Sequence, residues 1–113
     1  MSQNFHLIAI SERIGNLTNL RYLRLNLNYI TTLPEGLTRL CGLKELALYS
    51  VPVTQIPKGI EKMVSLELID LRETGIKKVP KAMAHLPNLR EIYVDDKISC
   101  PWRLRKLLRR ELY

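Results

Sequence analysis

A leucine returns every 23 residues, at Leu20, Leu43, Leu66 and Leu89, and each opens a unit with its apolar side chains in the same places. Numbered from that leucine, positions 1, 4, 6, 11, 14, 18 and 21 of the first unit are Leu20, Leu23, Leu25, Ile30, Leu33, Leu37 and Leu40. The second unit repeats them as Leu43, Leu46, Leu48, Val53, Ile56, Ile60 and Met63, and the third as Leu66, Ile69, Leu71, Ile76, Val79, Met83 and Leu86. One unit cannot enclose seven apolar side chains, so such units must stack and share a core. The step from 4 to 6 is strand alternation, whereas 14, 18 and 21 step as one face of a helix. Each unit therefore reads as strand then helix, with Pro34, Pro57 and Pro80 at position 15 opening the helical part.

The expected fold is an α/β solenoid: a curved right-handed superhelix with parallel strands on the concave face and short helices or helical turns on the convex face. Leu7, Ile10, Ile14 and Leu17 fit the tail of a partial repeat over residues 7–19, ahead of repeats starting at 20, 43, 66 and 89. After Val94 the register slips, with Ile98 one place early and Pro101 two, so the solenoid is expected to occupy residues 1–101. Residues 102–113 place Leu104, Leu107, Leu108 and Leu112 at helical spacing among Arg103, Arg105, Lys106, Arg109 and Arg110, which predicts a basic C-terminal capping helix. Those five cations are the candidate contacts to an anionic membrane or RNA.

The 113 residues suffice for one domain; 46% apolar and 26% charged is a globular balance, and no apolar run is long enough to span a bilayer. The first ten residues lack Lys and Arg and do not match a signal peptide, so a cytoplasmic location is expected. The formal charge of +7 invites a nucleic-acid reading, which placing the charges on faces opposes. Strand alternation turns positions 3, 5, 7 and 8 outward on the concave face. Its candidate protein-binding residues are Tyr22, Arg24, Asn26, Glu45, Tyr49, Asp70, Arg72, Glu73, Tyr93, Asp95 and Asp96. With Glu91, six acids there face two arginines, which predicts a protein partner with basic character and no DNA. A cross-strand pair of Arg24 with Asp70 is a further expectation.

No catalytic constellation emerges. His6 and His85 fall about three units apart, and Cys41 and Cys100, about two units apart, have no neighbouring His and are expected to be free thiols. No metal or cofactor is expected, and the chain is not expected to be an enzyme.

The stretch Leu20 to Ile30, LRYLRLNLNYI, resembles the signature of the leucine-rich repeat family, and the resemblance extends over about residues 7–100. In that family the asparagine that is Asn28 here satisfies backbone groups in the turn after the strand. Its replacement by Val51, Thr74 and Lys97 predicts an interrupted ladder, and Pro52 an altered turn. The 23-residue length resembles the intracellular classes. Ile69-Asp70-Leu71-Arg72-Glu73-Thr74-Gly75-Ile76-Lys77-Lys78-Val79-Pro80 is similar to the repeats of plant nucleotide-binding disease-resistance proteins. That resemblance implies recognition of pathogen or host proteins in defence, within a longer array, by the concave face. The units also resemble Ras-associated leucine-rich repeat signalling scaffolds.

Overall fold

The computed structural model describes residues 7–110; His6, and Leu112 of the expected C-terminal helix, lie outside them. Positions 3 to 5 of each unit form a strand: β1 (Tyr22–Arg24), β2 (Glu45–Ala47), β3 (Leu68–Asp70) and β4 (Glu91–Tyr93). They pair in parallel and in chain order, and each residue stands opposite its counterpart one repeat on: Leu23, Leu46, Ile69 and Ile92 form one such row. Because register equals the repeat length, like positions form rows across the sheet, and position 4 turns into the core along the whole stack. Leu43, Leu46, Leu48, Val53, Ile60 and Met63 are at most 1% exposed. Each such side chain is worth about 1.5–3 kcal/mol in surface withdrawn from water.

The return segments are 3-10 helices: Glu12–Asn16, Glu35–Arg39, Ile60–Lys62, Lys81–His85 and Trp102–Leu107. None exceeds six residues, in keeping with the short pieces in which 3-10 hydrogen bonding is used. The prolines do not sit inside these helices. Pro34, Pro80 and Pro101 are extended N-caps, and their carbonyls accept from Leu37, Met83 and Leu104 N–H at 3.0–3.1 Å. In the second unit the helix begins later, and Gly59, at φ +90°, takes the cap position that a side chain would strain.

In the first three units the turn after the strand keeps its position-6 carbonyl satisfied despite the lost asparagines. Asn28 Nδ2 donates to Leu25 C=O at 2.8 Å, while its Oδ1 accepts from Leu7 N–H at 2.8 Å. Thr74 Oγ1 donates to Leu71 C=O at 2.8 Å. In the second unit the N–H of Val51 itself reaches Leu48 C=O at 3.1 Å, and the valine side chain is buried. The side-chain ladder is interrupted as expected, and hydroxyl and backbone donors take its place.

The C-terminal segment departs from the expected capping helix. Trp102–Leu107 is a 3-10 helix, and Leu108–Arg109 forms a fifth strand, β5, parallel to β4 with Leu108 opposite Ile92 and Arg109 opposite Tyr93. The chain re-enters the sheet after a shortened return, so the stack continues beyond residue 101. Leu104 is buried, and Leu107 and Leu108 pack against the core. The leucine spacing taken for one helix face is that of a three-residue turn followed by a strand.

Candidate functional site

The rows of positions 3, 5 and 7 form a continuous sheet face. Tyr22 and Arg24 come from β1, Glu45 from β2, Asp70 from β3 and Tyr93 from β4; Asn26, Tyr49, Arg72, Glu73, Asp95 and Asp96 come from the turns that follow the strands. At its centre Arg72 binds Asp70 through both carboxylate oxygens, Nε to Oδ1 at 2.9 Å and Nη2 to Oδ2 at 2.6 Å. Its backbone N–H also donates to Asp70 Oδ1 at 3.1 Å. The guanidinium lies over the rings of both Tyr49 and Tyr93, 5.1 Å from each centroid. One cation thus ties three successive units together, each ring contact being worth about 0.5–2 kcal/mol according to its solvation.

This arrangement corrects two expectations. Asp70 is buried at 7% exposure and committed to Arg72, so it positions the arginine rather than presenting itself to a partner. Arg24 pairs with Glu45 at 2.7 Å, not with Asp70. That pairing raises the Arg24 pKa above its ordinary value, chiefly by the hydrogen bond to Glu45. Arg24 also lies over Tyr22, 5.6 Å from the ring centroid.

The expected acidic surplus is largely neutralised, because β5 brings two further arginines to this side. Arg109 approaches Glu91 at 3.7 Å and Arg110 reaches Asp96 at 2.7 Å. Asp95 accepts backbone N–H groups, from Glu73 at 2.9 Å and Lys97 at 3.0 Å. Asn26 accepts from Tyr49 N–H at 2.8 Å. Of the five C-terminal cations expected on one helix, Arg109 and Arg110 therefore belong to the sheet side, while Arg103, Arg105 and Lys106 stay exposed on the return side. Sequence reasoning also missed position 2. Lys44, Glu67 and Arg90 line, with Tyr22, Glu45, Leu68, Glu91 and Arg109, an open depression of about 410 Å³ beside the sheet face. The signal was available, since position 2 is charged in all four units as Arg21, Lys44, Glu67 and Arg90.

Cys41 and Cys100 are free thiols. Burial pushes the Cys100 pKa up, partly offset by Arg105, so this thiol is not poised as a nucleophile.

Comparison with known proteins bears on the fold. The family model described as leucine-rich repeat region matches residues 35–109. A leucine-rich repeat protein of Leptospira interrogans is similar in structure with a TM-score of 0.77 and 30% identity, over 90% of this chain and 26% of that one. The leucine-rich repeat ectodomain of the Arabidopsis thaliana membrane receptor kinase GASSHO1/SCHENGEN3, solved in complex with Casparian strip integrity factor 2, gives a TM-score of 0.76 and 25% identity, over 90% of this chain and 13% of that one. The chain thus spans about a quarter or less of the length of these two structures. No curated protein sequence matches it. Repeats in register, one parallel sheet with short helical returns, and a matching model over most of the chain lead to one assignment: the chain belongs to the leucine-rich repeat family.

Proposed function

We propose that the chain is a non-catalytic protein-recognition module that docks its partner on the sheet face, through Tyr22, Arg24, Asn26, Tyr49, Arg72 and Tyr93. One observation carries this reading: the Tyr49–Arg72–Tyr93 stack is fixed in place by buried Asp70. Aromatic and arginine side chains dominate binding energy at interfaces, and a surface already ordered loses little conformational entropy on docking. The partner need not be strongly basic. Of the six acids expected on the sheet face, Glu73 and Asp95 pair with no arginine among the described residues, and a Lys or Arg of the partner meets them at the turn edge.

In its finer form the proposal is a cytoplasmic repeat segment related to plant immune receptors, recognising an effector or host protein within a longer array. The string from Ile69 to Pro80 supports this, as does the 23-residue unit. The similar plant ectodomain, solved with a bound factor, supports ligand recognition by this architecture.

The test is affinity capture with the chain and two variants. Tyr22→Ala with Tyr49→Ala removes exposed rings without emptying the core, whereas Arg72→Ala would also strand buried Asp70. A partner held by the wild type and by a return-side control, Lys58→Ala with Lys62→Ala, but lost by the tyrosine variant supports the sheet face. Undiminished capture by the tyrosine variant rejects it.

A further inference from the structure

In the C-terminal half of the chain the negative charge is segregated, whereas cations stand on both sides. Beyond residue 62, the described acids Glu67, Asp70, Glu73, Glu91, Asp95 and Asp96 all stand on strands or in the segments immediately flanking them. The return side of the same units carries Lys77, Lys78, Lys81, Arg103, Arg105 and Lys106, all exposed and none in an ion pair among the described residues. They belong to two successive return segments. Val79 N–H donates to Ser99 C=O and Ser99 N–H to Lys77 C=O, each at 2.8 Å, so the lysine pair runs beside the segment leading into Pro101 and Trp102. Lys81 and Trp102 each follow an N-cap proline, so they hold the same place in successive units. Trp102 is 74% exposed, with Arg103 lying over its ring at 5.4 Å from the centroid.

We infer that this face binds the surface of a bilayer containing anionic phospholipid, with the lysines and arginines at the phosphates and Trp102 among the headgroups. The inference is independent of the sheet-face proposal, since it uses the opposite side of each unit. An exposed indole on a return side that carries six cations has the composition of an interfacial anchor, its apolar body in the headgroup layer and its N–H in contact with water. Single-stranded nucleic acid fits less well. It needs successive stacking platforms along a groove, and this face offers one indole, already covered on one side by its own Arg103.

Trp102 is the only tryptophan of the chain, so it reports its own environment. Added to phosphatidylcholine vesicles containing phosphatidylserine, the protein is expected to shift its emission to the blue and to co-sediment, and to do neither with phosphatidylcholine alone. Lys77→Ala, Lys78→Ala and Lys81→Ala together should weaken binding by about 5-fold per lysine, hence about 100-fold. Lys44→Ala with Arg90→Ala, at the entry to the strands, should change it less than about twofold, and circular dichroism should show both variants folded, all five positions being exposed. Failure to bind phosphatidylserine vesicles overturns the inference, as does equal weakening per charge removed in the two variants, which would make the attraction one of net charge. Quenching of Trp102 by single-stranded RNA with no response to vesicles overturns it in favour of nucleic acid.

Discussion

Arg72 and Arg24 make ion pairs of similar length in very different surroundings. The Arg72 and Asp70 side chains are 17% and 9% exposed, those of Arg24 and Glu45 62% and 22%. Asp70→Ala removes both carboxylate oxygens from a shielded guanidinium and should cost about 2 kcal/mol, since charge-assisted hydrogen bonds are worth about 1.5–3 kcal/mol. Glu45→Ala should cost less than about 1 kcal/mol, as exposed pairs do. Urea melts of the two variants measure the difference, and equal costs would show that the tyrosine stack does not shield Arg72. Cys100 gives a second prediction. Its thiol pKa is raised in the folded chain by burial, so the contribution to stability is whole below the unfolded value and is lost as pH climbs through the folded one. At mildly alkaline pH iodoacetamide should therefore label exposed Cys41 well before half-buried Cys100, and denaturant should abolish the lag. Which side chains share the sheet face was legible in the 23-residue register; who pairs with whom was not. Arg24 and Asp70 lie on β1 and β3, two strand spacings or about 10 Å apart, and Glu45 on the intervening β2 captures the arginine.

Within a unit, the sequence marks the strand and the return more clearly than the turn that joins them. Position 8 adopts positive φ in three units, at Leu27 (65°), Ser50 (60°) and Glu73 (58°), although none is Gly or Asn. Nothing in these side chains announces a left-handed backbone. It is imposed by the ladder, in which Leu27 N–H must reach Tyr49 C=O and Ser50 N–H must reach Arg72 C=O, at 2.9 and 3.0 Å. The cost of about 1 kcal/mol or more per residue is carried by the stack. Glu73→Gly should therefore leave stability unchanged or raise it by up to about 1 kcal/mol, while Glu73→Val, β-branched at the same φ, should lower it by about 1–2 kcal/mol. Thermal melts that ranked valine above glycine would contradict this account. The C-terminal segment was misread for a related reason. Leu104 and Leu107 are three apart in a 3-10 turn as they would be in an α-helix, and only the pairing of Leu108 with Ile92 distinguishes the two.

Across the whole molecule, contacts join neighbouring units, so local stability should follow position in the stack rather than the quality of individual hydrogen bonds. Position 6 offers a controlled comparison. The N–H groups of Leu25, Leu48, Leu71 and Val94 donate to Ala47, Asp70, Tyr93 and Arg109 carbonyls at 2.9, 2.9, 2.8 and 3.0 Å, so the four bonds are equivalent in length. Their surroundings differ. Leu20, Leu23 and Leu33 of the first unit are only partly buried, whereas Leu43, Leu46, Leu66 and Ile69 are fully enclosed. Hydrogen exchange should find the Leu48 and Leu71 amides slowest and Leu25 faster by about 10-fold or more, one kcal/mol of local opening being worth about 5-fold. The first return segments are joined at Gly15 and Gly36, where a Cβ on Gly36 would collide with the Glu12 carbonyl and where Gly36 N–H donates to Glu12 Oε1 at 2.6 Å. Gly36→Ala should push these segments apart and speed exchange at Leu25, leaving Leu71 close to its wild-type rate. If all four amides instead exchanged at one rate and Gly36→Ala accelerated them together, the units would open as a single body, and a stack of separately weighted repeats would be the wrong description of this chain.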